Sequence, residues 1–196
     1  MIPILILAAG TASRMRGADK LLEDVGGEPL LRKQTRMALA IGEPVYVALH
    51  ANAAARHAVI ADLPATVLMV PEAAEGMGGS LRGAVGQLPP CDAFMVLLGD
   101  LVALEVDDLH AVMAARQRQP DHLIWRGATE DGKPGHPILF DASLRDSFAS
   151  LTGDSGGESL VKPLRDKTCL VRFADDRARL DLDTPEDWAA WRALRR

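Results

Sequence analysis

Residues 7 to 20 read Leu-Ala-Ala-Gly-Thr-Ala-Ser-Arg-Met-Arg-Gly-Ala-Asp-Lys. A continuous apolar run from Ile4 to Ala8 delivers a loop of small residues, so backbone N–H groups along Leu7, Ala8, Ala9 and Gly10 can approach a ligand closely. Arg14 and Lys20 add two cations beside that loop. N–H groups and cations that share a negative charge suit a triphosphate. The segment is not a P-loop, since no Gly-Lys-Ser/Thr follows, and it lacks the Gly-x-Gly-x-x-Gly spacing of dinucleotide sites. Composition alone leaves two readings open, a surface turn and a phosphate loop.

The loop needs a sheet behind it. The run at Ile4 to Ala8 suits a strand buried on both faces of a parallel sheet. Further strands are expected at Val45 to Leu49, Ala65 to Val70 and Phe94 to Leu98, the last stopping at Gly99-Asp100. Between them fall a helix opened by Pro29, with Leu30, Gln34, Met37, Ala38 and Ile41 on one face, and an Ala-rich helix from Ala53 to Leu63. A polar loop after Pro71 leads to a third helix carrying Leu81, Ala84, Val85 and Leu88. The second half is less regular. It reads as a helix at Asp107 to Gln119, strands at His122 to Arg126 and His136 to Phe140, and a turn at Gly132 to Gly135. A short helix at Asp141 to Ala149 and a strand near Leu170 to Phe173 follow. Thr184-Pro185-Glu186-Asp187 marks a final helix, with Thr as N-cap, Pro at the first position and acids in the first turn. Alternating strands and helices give a three-layer α/β/α sandwich. With 196 residues and no repeat or linker, we expect one domain over residues 1–196.

The bulk numbers exclude several classes. A hydrophobic share of 48% with 25% charged residues describes a globular chain rather than a disordered one. The net charge of −5 argues against a nucleic-acid binder, though a small anionic ligand needs only local cations. Cys91 and Cys169 form no Cys-x-x-Cys pair and read as two buried thiols in a reducing compartment. The apolar N-terminus is too short for a membrane span or a signal core, so a cytoplasmic location is expected.

Six segments together resemble the MobA-like NTP transferase superfamily, and within it most closely the molybdenum cofactor cytidylyltransferases. They are Leu7 to Met15 with Lys20-Leu21-Leu22, Gly76 to Arg82, Leu98-Gly99-Asp100, Gly135 to Phe140, Thr152-Gly153-Asp154 and Asp181 to Asp187, in the family's order. The resemblance implies a Rossmann-like fold of the nucleotide-diphospho-sugar transferase type, with a mostly parallel mixed sheet. It also implies a nucleotide-binding half at about 1–104 and an acceptor-binding half at about 105–196. Leu7, Ala8, Ala9 and Gly10 would hold the base and ribose side, Arg14 and Lys20 the triphosphate, with Lys20 at the α-phosphate. Asp100, just beyond a buried strand, would hold Mg2+, a hard cation suited to carboxylate oxygen; a turn or helix cap is the plainer alternative.

Gly76, Gly78 and Ser80 precede a helix whose free N–H groups would meet the nucleotide, or they form a capping turn without a ligand. Asp183 would join the metal and Asp181 the acceptor, and we expect only one of these two aspartates to face the site as a ligand. Asp154 and His136 would lie near the acceptor, with His136 equally able simply to order its turn. It is given no acid–base role, because an acceptor phosphate is already ionised. His50, His57, His110 and His122 read as incidental.

The expected reaction moves NMP from an NTP to a phosphorylated acceptor. Ala-Ala-Gly in place of Ala-Gly-Gly favours CTP, and molybdopterin is the leading acceptor, with a molybdenum enzyme as the recipient of the product. Alternatives are a sugar phosphate or other small phosphate as acceptor, and a non-catalytic nucleotide or molybdopterin carrier. Three departures bear on this: Arg16 intervenes before Gly17, Leu101-Val102 replaces the usual x-Pro after the metal Asp, and the Gly153-Asp154 segment lacks the arginine that often follows it.

Overall fold

The computed structural model describes residues 1–10 and 15–194. Strands β1 (Ile4–Leu7), β2 (Val45–Leu49), β3 (Thr66–Met69), β4 (Ala93–Leu98), β5 (Ile124–Ala128), β6 (Pro134–Asp141) and β7 (Thr168–Arg172) form one seven-stranded sheet. Their order is β3-β2-β1-β4-β6-β5-β7, and β6 alone runs against its neighbours. The other strands therefore bring their carboxyl ends to one edge of the sheet, and β6 begins there.

Alternation along β1 and β4 divides the core. Ile4, Ile6, Met95 and Leu97 face helices α1 (Leu30–Leu39), α4 (Val106–Arg118) and α5 (Pro185–Ala193), meeting Leu30, Met37, Leu109 and Trp188. Leu5, Leu7, Phe94 and Val96 face α3 (Met77–Gly86), meeting Leu81, Ala84 and Val85. With helices on both faces, the fold is the expected three-layer α/β/α sandwich. Ile4, Leu5 and Ile6 are 0% exposed, which bears out β1 as a strand covered on both sides. Each such side chain contributes about 1.5–3 kcal/mol by leaving water.

The structure departs from the sequence reading at two places. Helix α2 spans only Ala54–Ala58, and the chain beyond it turns aside. Pro64 disfavours a helical residue before it, and Arg32 of α1 captures the turn through the Val59 carbonyl at 3.0 Å and Asp62 at 2.5 Å. The stretch Pro71–Glu75, read as a loop, is a 3-10 helix. The short helix expected at Asp141 to Ala149 is present as a 3-10 helix, Ala142–Ser150, pinned by Phe148, whose ring stands edge-on to Phe140 at 5.1 Å between centroids. The last helix starts as expected: Pro185 opens it, and Thr184 and Asp187 form a reciprocal capping box. Cys91 and Cys169 are half-buried rather than fully covered. Among the described residues no helix is long and apolar enough to cross a membrane.

Candidate active site

β1 ends at the carboxyl edge, and there a cavity of about 910 Å³ opens. Leu7, Ala8, Ala9, Gly10, Lys20, Gly76, Ser80, Asp100 and Asp154 all line it. Arg14, with residues 11–13, lies outside the described residues. Lys20 begins a short 3-10 turn, Lys20–Leu22, whose N-cap Asp19 accepts from the Leu21 N–H at 3.0 Å. Asp19 is held in turn by Arg56 of α2, through Nε at 2.6 Å and Nη2 at 3.0 Å. The Nη1 of the same guanidinium donates to the carbonyls of Ala8 at 2.6 Å and Gly10 at 2.8 Å. Arg56 thus ties the exit of β1 to the turn that carries Lys20.

Sequence reasoning passed over Arg56, a lone arginine in an Ala-rich stretch whose only signal was its charge. His50 and Asn52, just past the end of β2, also line the cavity. His50 has no constellation around it in the sequence, yet the carboxyl-edge rule that singles out Asp100 applies to it equally.

Lys20 Nζ lies 2.5 Å from Asp100 Oδ2 and 2.7 Å from Asp183 Oδ1. Partial burial would lower the lysine pKa, but the charges and hydrogen bonds of Asp100 and Asp183 outweigh it and the net shift is upward. Asp100, Asp181 and Asp183 can each place one carboxylate oxygen so that all three oxygens lie within 4.8 Å of one another. This corrects the expectation that only one of Asp181 and Asp183 faces the site. Residues two apart in extended chain share a face, and Leu182 between them is 5% exposed and joins the core. An antiparallel bridge between Leu101 and Asp181 brings this segment beside the Asp100 turn. Desolvation raises the Asp181 carboxyl above its ordinary pKa, and the charges of Asp183 and Asp100 push the same way. The buried Oδ1 of Asp100 has no hydrogen-bond partner among the described residues.

The two departures near this cluster have structural accounts. Leu101 and Val102 are buried, and their carbonyls are held by Gln34 at 2.8 Å and Lys33 at 3.2 Å, so side chains of α1 fix the turn that a proline would have stiffened. Arg16 adopts a left-handed conformation, φ 52°, and pairs with Glu186 at 2.7 Å. It is not among the residues lining the cavity.

The amino end of α3 is occupied by protein. The Gly78 N–H donates to the Gly153 carbonyl at 2.7 Å, and a Cβ at Gly78 would come within 2.7 Å of the Thr152 carbonyl. Gly78 therefore seats the 152–154 loop and does not line the cavity. Ser80 does line it, but its hydroxyl bonds back to the Gly76 carbonyl at 3.0 Å rather than capping the helix. Gly76, at φ +114°, allows the tight entry into α3 and leaves room for Asp154. His136, on β6, lies outside the cavity lining, with Nδ1 3.3 Å from the Val96 carbonyl. A carbonyl only accepts, so Nδ1 carries the hydrogen and Nε2 keeps its lone pair. Burial holds the ring's pKa down to about 4, and it is neutral at pH 7.

This arrangement, a small-residue loop at the edge of a parallel sheet with a lysine set among aspartates, coincides with a family match. Residues 4–168 match the model of the MobA-like NTP transferase domain. The chain belongs to the MobA-like NTP transferase family. Among its relatives, the bifunctional protein GlmU of Alkalilimnicola ehrlichii is 35% identical over 115 residues, covering 58% of this chain and 25% of GlmU. The chain thus spans about a quarter of the length of the curated relatives it matches. Across its whole length this MobA-like chain superposes on Rv0371c of Mycobacterium tuberculosis H37Rv with a TM-score of 0.83 and 27% identity, covering 98% of that protein. A complex of Rv0371c with manganese matches with a TM-score of 0.77 and 26% identity over 96% of each chain.

Proposed function

We propose that this protein transfers CMP from CTP to the phosphate of molybdopterin and releases pyrophosphate, with Mg2+ as cofactor, in the cytoplasm. The observation that carries the proposal is Lys20, which sits between Asp100 and Asp183 where the cavity meets the carboxyl ends of β1 and β4. A site for binding alone has no need of an ammonium and three carboxylates gathered at one point. In the reaction, an acceptor phosphate oxygen attacks the α-phosphorus in line. A new P–O bond forms, the bond to the β-phosphate oxygen breaks, and pyrophosphate leaves with that electron pair. No proton transfer is required, which agrees with a neutral, half-buried His136.

Residues 1–104 form the nucleotide half of this reading and 105–196 the acceptor half. The backbone of Leu7 to Gly10 and the residues Gly76 and Ser80 bound the nucleotide. Lys20 and Arg14 take the growing charge on the phosphates, and Asp154 and His136 face the acceptor side. Catalysis is then positioning with electrostatic stabilisation. The donor set fits a hard divalent cation: Asp100 and Asp183 offer carboxylate oxygens, Asp181 stands beside them, and the buried, unpartnered Oδ1 of Asp100 is a ready ligand atom. When bound, Mg2+ supplies charge neutralisation for the triphosphate and the leaving pyrophosphate. The manganese complex of Rv0371c supports a divalent ion in such a fold.

The deciding experiment measures pyrophosphate release with Mg2+ and each of the four NTPs, with and without molybdopterin. Release with CTP only when molybdopterin is present is the expected result, and Asp100→Asn should lower it by about a hundredfold or more. Equal release with a sugar phosphate would replace the acceptor. Tight NTP binding without release from any acceptor would mean a carrier.

A further inference from the structure

A second charged group lies beyond the cavity, under the chain that leads away from its rim. Arg126 of β5 is 4% exposed. Its Nε donates to the Gly135 carbonyl at 3.1 Å, and its Nη1 pairs with Glu158 Oε2 at 3.0 Å. The two partners of this ion pair are unlike: the Arg126 side chain is 5% exposed and that of Glu158 is 64% exposed. A guanidinium keeps its charge at any physiological pH, so burying one is costly unless an oxyanion faces it. Here the oxyanion is a surface carboxylate that one side-chain rotation can withdraw.

The location gives this pair its meaning. Arg126 aligns with Ile138 of β6, and Ile138 with Val96 of β4, so the three share one level and one face of the sheet. Two residues on from Val96 is Leu98, which lines the cavity, and two before Ile138 is His136. The covering chain runs from Asp154, on the cavity wall, through two glycines to Glu158. Val96 and Ile138 themselves are buried in the core, so a ligand leaving the cavity past Leu98 and His136, one step nearer the edge, runs toward Gly135, whose carbonyl the guanidinium holds, and toward Glu158.

We propose that Arg126 is the anion-receiving residue for the acceptor, and that Glu158 occupies it as an internal stand-in which the acceptor's oxyanion displaces. This rests on the reading of the chain as a transferase with a phosphorylated acceptor, and it names a residue that would hold an anionic group of that acceptor away from the reacting one. The planar, forked guanidinium suits a phosphate better than an ammonium would.

Inorganic phosphate is the probe, titrated calorimetrically into the full chain. Glu158→Gln removes the competing carboxylate from an exposed position and is expected to bind phosphate about tenfold or more tighter than the native chain. The double variant Glu158→Gln/Arg126→Met should lose that gain. An unchanged affinity in Glu158→Gln overturns the proposal by itself, even if the double variant does not fold. A gain that survives in a folded double variant overturns it too. The four NTPs titrated into the same proteins separate the two readings: failure of the native chain to bind any of them sinks the transferase assignment, whereas a phosphate gain that depends on Arg126 stands on its own measurement.

Discussion

Arg56 shows how a residue outside the recognisable segments can govern them. Its guanidinium is 8% exposed and serves two carbonyls and one carboxylate at once, a pattern that an ammonium with its single nitrogen cannot reproduce. Arg56→Ala leaves those acceptors without their donor, and a loss of about 2–4 kcal/mol in urea denaturation is expected. In Arg56→Lys, which keeps the charge, the KM for the nucleotide should rise more than kcat falls, because the Ala8–Gly10 backbone and the Lys20 turn lose their common anchor. Equal nucleotide affinity in the native chain and Arg56→Lys would show the anchor to be dispensable.

His136 makes a prediction about pH. Its folded pKa of about 4 lies below the ordinary 6.5, so between these values the unfolded chain takes up a proton that the folded chain refuses. Stability from this group is present above pH 6.5, falls as pH drops through that window, and levels off below about 4. Urea midpoints at pH 7 and pH 4.5 should differ less in His136→Gln than in the native chain.

At the scale of elements, the glycines of α3 have opposite expectations. A Cβ at Gly79 would run into the Glu72 carbonyl of the preceding 3-10 helix, whereas one at Gly86 meets nothing within 4 Å. Alanine gains about 1 kcal/mol over glycine within a helix, and a clash with backbone costs about 1–3 kcal/mol. Gly86→Ala should therefore raise the melting temperature and Gly79→Ala lower it.

The same elements show what the sequence could tell. The apolar runs of β1, β2 and β4, the buried face of α1 and the Thr184 cap were legible because local periodicity and capping chemistry dictate them. The curtailed α2 was not, since it depends on Arg32 reaching from another helix. Nor was the capture of the Gly78 N–H by Gly153, a contact between distant segments. Lys20 and Asp100 were legible as chemistry, one a cation beside a loop of small residues and the other a carboxylate just after a strand. The meeting of Asp181 with Asp183 was also within reach, because a spacing of two already places both on one face.

Over the whole molecule, the site joins distant parts of the chain: Lys20 and Asp183 are 163 positions apart in sequence. What holds the late partner in place is Trp188. It is 1% exposed, its Nε1 donates to the Leu182 carbonyl at 3.2 Å, and the Arg192 guanidinium lies 5.1 Å from its ring centre. That carbonyl belongs to the residue between the two aspartates. Under the proposed metal role, Mg2+ or Mn2+ should raise the melting temperature of the native chain, by an amount equivalent to about 2.7 kcal/mol at a hundredfold excess over Kd. Trp188→Phe keeps most of the packing but loses the hydrogen bond, and should give a smaller metal-induced shift in the same scan. An unchanged shift would detach Trp188 from the metal cluster.

The reversal of β6 has a further result. Because β6 starts at the edge where β4 and β5 finish, the turn between β5 and β6 is a hairpin tip on the site's side of the sheet, with Glu130, Asp131 and Lys133 exposed. The chain leaving β1, β2 or β4 must still find its way to a helix, so its length is constrained by the architecture. A hairpin tip carries no such obligation. It is the natural splice point of this scaffold, where a longer loop can be grafted beside the cavity while β1 and β4 keep their register. Under the proposed function, diversification of acceptors would thereby be separated, in the layout of the chain itself, from the upkeep of phosphate chemistry.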